Sequence, residues 1–135
     1  MKNGASVTVL DSNIFIYILD EHPEFYEPAR AAFKAAAPGR ICVPTLTLTE
    51  IQAGTTNNEF LRFFEDSVIE LHDLTSEIAV LAGELRYKLK KLKTADAIHL
   101  ATALVSGSNR FITNDATLFK LDIGLKILPL SSFAA

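Results

Sequence analysis

At 135 residues, the chain is long enough to bury about two-thirds of its unfolded surface in one core, so neither disulfides nor a structural metal are needed. Thirteen Lys and Arg against sixteen Asp and Glu give a net charge of −3, so nothing global advertises a polyanionic partner. Hydrophobic residues make up 49% of the chain, yet no uncharged apolar run reaches the roughly 18 residues of a membrane span, and no membrane partner is expected.

The opening MKNGASVTVLD has one lysine and lacks the apolar stretch and small-residue cleavage site of a signal peptide. Together with a lone Cys42, which forms no intrachain disulfide and is not expected to build a thiolate zinc site, this leads to the expectation of a cytoplasmic protein. VTVL (7–10) reads as a short strand, and FIYIL (15–19) belongs to a helix that starts after Asp11 and Ser12. PEFYEPARAAFKAAAPG (23–39) has helical spacing, with Pro38 and Gly39 as its stop. ICVP (41–44) is a second strand, TLTEIQAG (47–54) a short helix, and NNEFLRFF (57–64) another, its Phe60, Phe63 and Phe64 serving either as core or as a dimer face. VIEL (68–71) is a third strand, SEIAVLAGELRYKLKKL (76–92) an amphipathic helix, and a nearly all-apolar helix follows from 95 to about 106. RFIT (110–113) and LKILPL (125–130) are two further strands, separated by a helical turn near ATLFKL. Strands alternating with helices, most of them uniformly apolar, imply an α/β fold with a parallel sheet covered on both faces, formed as a single domain over residues 1–135.

In such folds ligands collect outside the carboxyl ends of the strands. Asp11 directly follows VTVL and Asp115 directly follows RFITN, so both are expected at the same edge of the sheet. Glu50 lies in the helix after ICVP, and Asp96 in the first turn after Lys93 and Thr94. Each acid has a plainer reading: Asp11 as a helix cap, Asp96 as an acid favoured by the helix dipole. Taken together, four carboxylates with a route to one crevice would repel each other unless a cation were present. The histidines His22, His72 and His99 are scattered, so no softer site is expected, and oxygen ligands favour Mg²⁺ or Mn²⁺. His99, one turn after Asp96, reads more readily as a core histidine than as part of the site. Arg86, Lys88, Lys90, Lys91 and Lys93 form a basic cluster before this stretch: either solvated cations ending a helix or a patch for phosphates or an acidic partner.

Four segments, VLDSNIFIYIL (9–19), VPTLTLTEIQAG (43–54), TADAIHLATAL (94–104) and FITNDATLF (111–119), resemble in order and spacing the PIN-domain nucleases, and among them the VapC-type toxins of prokaryotic toxin–antitoxin pairs. The resemblance implies a three-layer α/β/α domain with a five-stranded parallel sheet, and Asp11, Glu50, Asp96 and Asp115 as a catalytic, metal-binding quartet. It further implies that Ser12 and Thr113, and less directly Asn13 and Asn114, orient the acids or the substrate. Such proteins form homodimers, cleave structured RNA such as tRNA or rRNA with Mg²⁺ or Mn²⁺, and are silenced by a VapB-type antitoxin. The chain departs from the common pattern at Ala116-Thr117-Leu118, where a further acid is often found, and in the density of its basic cluster. The alternatives are a non-catalytic scaffold for RNA or protein, and a phosphatase using Asp11, which would want an aspartate where Asn13 stands.

Overall fold

The computed structural model describes residues 6–57, 59–65 and 68–134. Asn58, within the segment expected to be helical from 57, and residues 1–5 of the opening stretch lie outside them. In chain order the elements are β1 (Val7–Leu10), α1 (Ser12–Leu19), α2 (Tyr26–Ala36), β2 (Arg40–Pro44), α3 (Leu46–Gly54), α4 (Phe60–Glu65), β3 (Ile69–His72), α5 (Ser76–Lys88), α6 (Thr94–Val105), β4 (Arg110–Thr113) and β5 (Lys126–Pro129). Short 3₁₀ turns cover Ala116–Leu118 and Leu130–Phe133.

Five strands pair in the order β3-β2-β1-β4-β5, all parallel. Because successive side chains of a strand face opposite ways, each short apolar strand feeds two cores at once. Leu10, Ile41, Val43 and Ile112 pack with Ile14, Phe15, Ala29, Ala32 and Ile51 from α1, α2 and α3. Val9, Cys42 and Phe111, the alternate residues of the same strands, pack with Ile78, Ala82 and Leu85 of α5 and Ala97, Leu100 and Ala101 of α6. The result is the expected three-layer α/β/α arrangement.

Phe60 and Phe64 are buried, and Phe63 packs against the first core, its ring 6.3 Å from Phe15 and 5.6 Å from Phe33. This apolar trio is therefore core.

Three helix bounds differ by three or more residues from the sequence reading, α4 among them, since it starts at Phe60 rather than 57. α2 starts at Tyr26 rather than 23, because the His22 imidazole accepts the backbone N–H groups of Glu24 and Phe25, both at 3.1 Å, in a local turn. α5 ends at Lys88, although the apolar spacing runs on to Leu89 and Leu92. Arg86 Nε donates to Leu92 O at 3.0 Å and buried Leu92 pins the turn, a stop made by a side chain rather than by Gly or Pro. At Gly39, between α2 and β2, a Cβ would lie 2.2 Å from Ser6 O. Only glycine lets Arg40 N reach that same carbonyl at 2.8 Å and set the β1–β2 register.

Candidate active site

The sheet order changes direction at β1: the chain builds β2 and β3 to one side, then crosses to β4 on the other. Such a switch point leaves a crevice at the carboxyl ends of the two diverging strands. Asp11 leaves β1 and Asp115 leaves β4 there. Asp11, Ser12, Asn13, Ile16, Glu50, Ala53, Gly54, Asp96 and Asp115 line a cavity of about 400 Å³ at this point. All four predicted acids therefore meet in one crevice, delivered by four separate segments.

Asp11 is held from both sides. Its Oδ1 accepts the Ser12 N–H at 2.8 Å, and its Oδ2 accepts the hydroxyl of fully buried Thr113 at 2.7 Å. The same Thr113 oxygen accepts the Asp115 N–H at 3.0 Å, so one hydroxyl orients the exits of both strands. Being buried, Thr113 sets the acids and does not reach a substrate. Asp115 Oδ1 is fixed by Thr117, whose N–H and hydroxyl donate at 3.0 and 2.7 Å. Thr117, which stands in the stretch lacking the extra acid, was not singled out from sequence.

Ser12 turns its hydroxyl to Glu50 Oε1, and His99 Nε2 meets that oxygen at 2.6 Å. His99 is buried, at 1% exposure, as expected of a core histidine, and its ring also faces Glu50. Its Nδ1 has no hydrogen-bond partner among the described residues. The signal was available in the three-residue step from Asp96 to His99, which puts both on one face of α6. Asn13 is exposed on the rim of the cavity. Asn114 stands behind the crevice rather than lining it, its amide donating to the Tyr17 hydroxyl at 3.0 Å.

The electrostatics follow from this packing. Burial, then the negative charges of Asp11 and Asp115, raise the Asp96 carboxyl above its ordinary value, against the pull of His99 and Lys93. Burial also pushes Glu50 up, yet the hydrogen bonds from His99 and Ser12 and the His99 charge outweigh it and bring Glu50 below its ordinary value. At His99, burial lowers the value, while the bond to Glu50 and the charges of Asp11, Glu50 and Asp96 win and raise it.

Mutual repulsion around Asp96 is the condition that a bound cation relieves, and an all-oxygen set is the donor type that hard divalent ions take. The acids are spaced more loosely than an inner ligand shell. Among the described residues, the three His, Cys, Asp or Glu side chains whose ligand atoms all lie within 4.8 Å of one another are instead Cys42, Glu70 and His72. Loose spacing fits Mg²⁺, which keeps several waters and takes one or two carboxylates directly.

The basic cluster divides. Arg86 and Lys88 sit in the last turn of α5, with Arg86 committed to Leu92 O. Lys90, Lys91 and Lys93 line a second cavity of about 460 Å³ with Leu89, Leu92, Leu118 and Leu121. Asp96 and Asp115 belong to both cavities, so the lysines flank the acids directly.

Comparison with known proteins agrees with this architecture. A chain of the VapBC2 complex from Rickettsia felis, bound to a DNA fragment from their promoter, matches with a TM-score of 0.72 at 21% identity, over 91% of this chain and 98% of that one. A chain of a toxin–antitoxin complex from Klebsiella pneumoniae matches with a TM-score of 0.72 at 25% identity, over 91% and 97%. A chain of VapBC-1 from nontypeable Haemophilus influenzae gives 0.66 at 21% identity, over 93% and 98%. Among curated proteins none matches the chain. The family model for the PIN domain covers residues 8–124, from β1 through β4 and the turn beyond it, and the chain belongs to the PIN domain family.

Proposed function

We propose that this protein is a metal-dependent endoribonuclease that hydrolyses phosphodiester bonds in structured RNA, tRNA or rRNA, and that it is the VapC-type toxin of a toxin–antitoxin pair. It acts in the cytoplasm as a homodimer of single-domain chains, silenced by a VapB-type antitoxin. The observation that carries this reading is the meeting of Asp11, Glu50, Asp96 and Asp115 in one crevice at the switch point of a PIN fold. The likeness to chains of toxin–antitoxin complexes supports the antitoxin partner.

The four acids would hold Mg²⁺ or Mn²⁺, which supplies activation of a water for in-line attack and neutralisation of charge on the phosphate. The chain's own groups supply position. Thr113 and the Ser12 N–H lock the Asp11 carboxylate, Thr117 locks that of Asp115, and Ser12 with His99 keeps Glu50 ionised in a half-buried place. Lys90, Lys91 and Lys93, on the flank of the acids, meet RNA phosphates or the acidic side chains of the antitoxin. Arg86 and Lys88 lie further back on α5 and contribute field rather than contact.

The test is cleavage of total RNA by purified, partner-free protein with Mg²⁺ or Mn²⁺, with EDTA, and with Asp96→Asn alongside. Metal-dependent cleavage that leaves 5′-phosphate and 3′-hydroxyl ends and is lost in the variant supports the proposal. A folded protein that binds RNA but never cuts it under either metal would replace the nuclease by a binding scaffold. Sedimentation of the same sample checks the dimer.

A further inference from the structure

Away from the acidic crevice, strand register builds a second group of ligand atoms. Cys42 on β2 pairs with Glu70 on β3, and His72, two residues further along β3, faces the same way. Local sequence carries no sign of this grouping, because it is the return of β3 alongside β2 after the chain between Pro44 and Ile69 that brings the lone cysteine and a distant histidine together. Cys42 Sγ lies 3.6 Å from Glu70 Oε1, His72 Nε2 lies 3.7 Å from the same oxygen, and all three ligand atoms fall within 4.8 Å of one another. β3 is an edge strand, and the Glu70 and His72 side chains are 39% and 29% exposed, so an ion reaches them from solvent while buried Cys42 forms the floor.

We propose that Cys42, Glu70 and His72 form a binding site for a zinc-class divalent ion that ties the edge strand β3 to β2. Tetrahedral zinc, with bonds of about 2.3 Å to sulfur and about 2.0 to 2.2 Å to nitrogen or oxygen, sets its ligand atoms roughly 3.4 to 3.6 Å apart. The Cys42 Sγ contact to Glu70 Oε1, at 3.6 Å, is already at that spacing, and the His72 Nε2 contact, at 3.7 Å, is slightly wider. Thiolate, imidazole and one carboxylate are the donors that zinc selects, in contrast to the oxygen-only crevice. Exposure at the edge leaves the fourth position to water.

In the metal-free chain the Arg40 guanidinium itself reaches two of the three ligand atoms, its Nη2 lying 4.0 Å from Cys42 Sγ as well as against Glu70. Its Nε donates to Glu70 Oε2 at 2.8 Å and its Nη2 to Oε1 at 2.7 Å. The first bond holds the carboxylate plane while Oε1 turns to the ion, as the outer partners of ligating carboxylates do. The second, together with the Nη2 contact to Cys42 Sγ, must break for the ion to enter, so the metal displaces Nη2 from the site. Burial, and then the Glu70 charge, push the Cys42 thiol up to about 11, so binding releases the thiol proton to solvent as the sulfur–metal bond forms.

Cobalt(II) is the probe, because a thiolate–cobalt bond gives a near-ultraviolet charge-transfer band that oxygen ligands do not, and Cys42 is the chain's only cysteine. Titration of the metal-free full-length protein is expected to give a saturating band at one equivalent, displaced by zinc. His72→Ala and Glu70→Gln, both at partly exposed positions, should each weaken cobalt binding by about tenfold or more. Asp96→Asn should leave the band unchanged, which separates this site from the nuclease crevice. A protein shown folded by circular dichroism that gives no band overturns the proposal. So does a band indifferent to both His72→Ala and Glu70→Gln, which would mean that cobalt meets the thiol alone.

Discussion

Asp96 is in electrostatic conflict with its surroundings, since it stands half-buried at the start of a buried helix with two like charges facing it. Its carboxyl binds protons more tightly folded than unfolded, so the native state loses stability as pH rises above the ordinary 3.8 and the full cost is present at neutral pH. Asp96→Asn should therefore raise the melting temperature of the metal-free protein at pH 7, with the gain shrinking toward pH 4, while RNA cleavage falls about a hundredfold or more. Thermal melts across pH, paired with cleavage assays, read both; a variant that still cuts would remove Asp96 from the site. Glu50 and His99 behave oppositely. Glu50 is held below its ordinary 4.5, so its contribution is present above that pH and is lost as pH falls through the folded value. His99 is held above its ordinary 6.5, so its contribution is complete below that pH and is lost as pH rises through the folded value. The pair thus stabilises most between 4.5 and 6.5, and the stability difference between the metal-free protein and His99→Gln, measured by denaturant unfolding, should peak in that window.

At the scale of elements, the tightest constraint is the α2–β2 turn. Gly39→Ala drives a methyl into the Ser6 carbonyl and should cost about 2 kcal/mol or more, because backbone rather than a side-chain tip must move. Thr75 caps α5 through its hydroxyl, which accepts the Ile78 N–H at 3.2 Å, and Thr75→Ala should cost about 1 kcal/mol. Denaturant midpoints distinguish the two. The elements and the sheet were readable in advance because the strands are short apolar runs and the helices carry caps or periodic apolar faces. Three of the acids were readable for a related reason: Asp11 and Asp115 leave strands directly, and Asp96 opens a helix. What escaped the sequence were contacts made by register and by side-chain stops. The end of α5 is set by Arg86 reaching Leu92 O, and the approach of Cys42 to His72 is set by how β3 lies along β2. Neither leaves a mark in local composition. Nor does local sequence show that Asn114, which the resemblance implies less directly, donates to Tyr17 from another segment.

Across the whole molecule, charge is divided more sharply than the net value of −3 conveys. Lys90, Lys91 and Lys93 stand on one lip of a crevice floored by carboxylates, an arrangement that, under the proposed function, would draw in an RNA polyanion while leaving the acids for a cation. Replacing these three lysines by alanine should weaken RNA binding at all sequences alike. It should also reduce the slope of log affinity against log salt by about 2 to 3, since each neutralised phosphate contributes roughly 0.7 to 0.9. Filter binding over a salt series gives the slope directly, and an unchanged slope would reassign the lysines to the antitoxin.

The central pairing of the sheet joins strands from nearly opposite parts of the chain, with Thr8 opposite Arg110 and Leu10 opposite Ile112. Asp11 waits on Thr113 for one of its two hydrogen bonds and on Asp115 for its neighbour in the crevice. During synthesis the ribosome must therefore deliver more than a hundred residues before the first acid to emerge can be oriented. A nascent or truncated chain that stops short of β4 has the early carboxylates but no crevice, so the acidic site cannot be assembled until β4 has been made. Timing of that kind would give a co-translated inhibitor the whole of elongation in which to be present first.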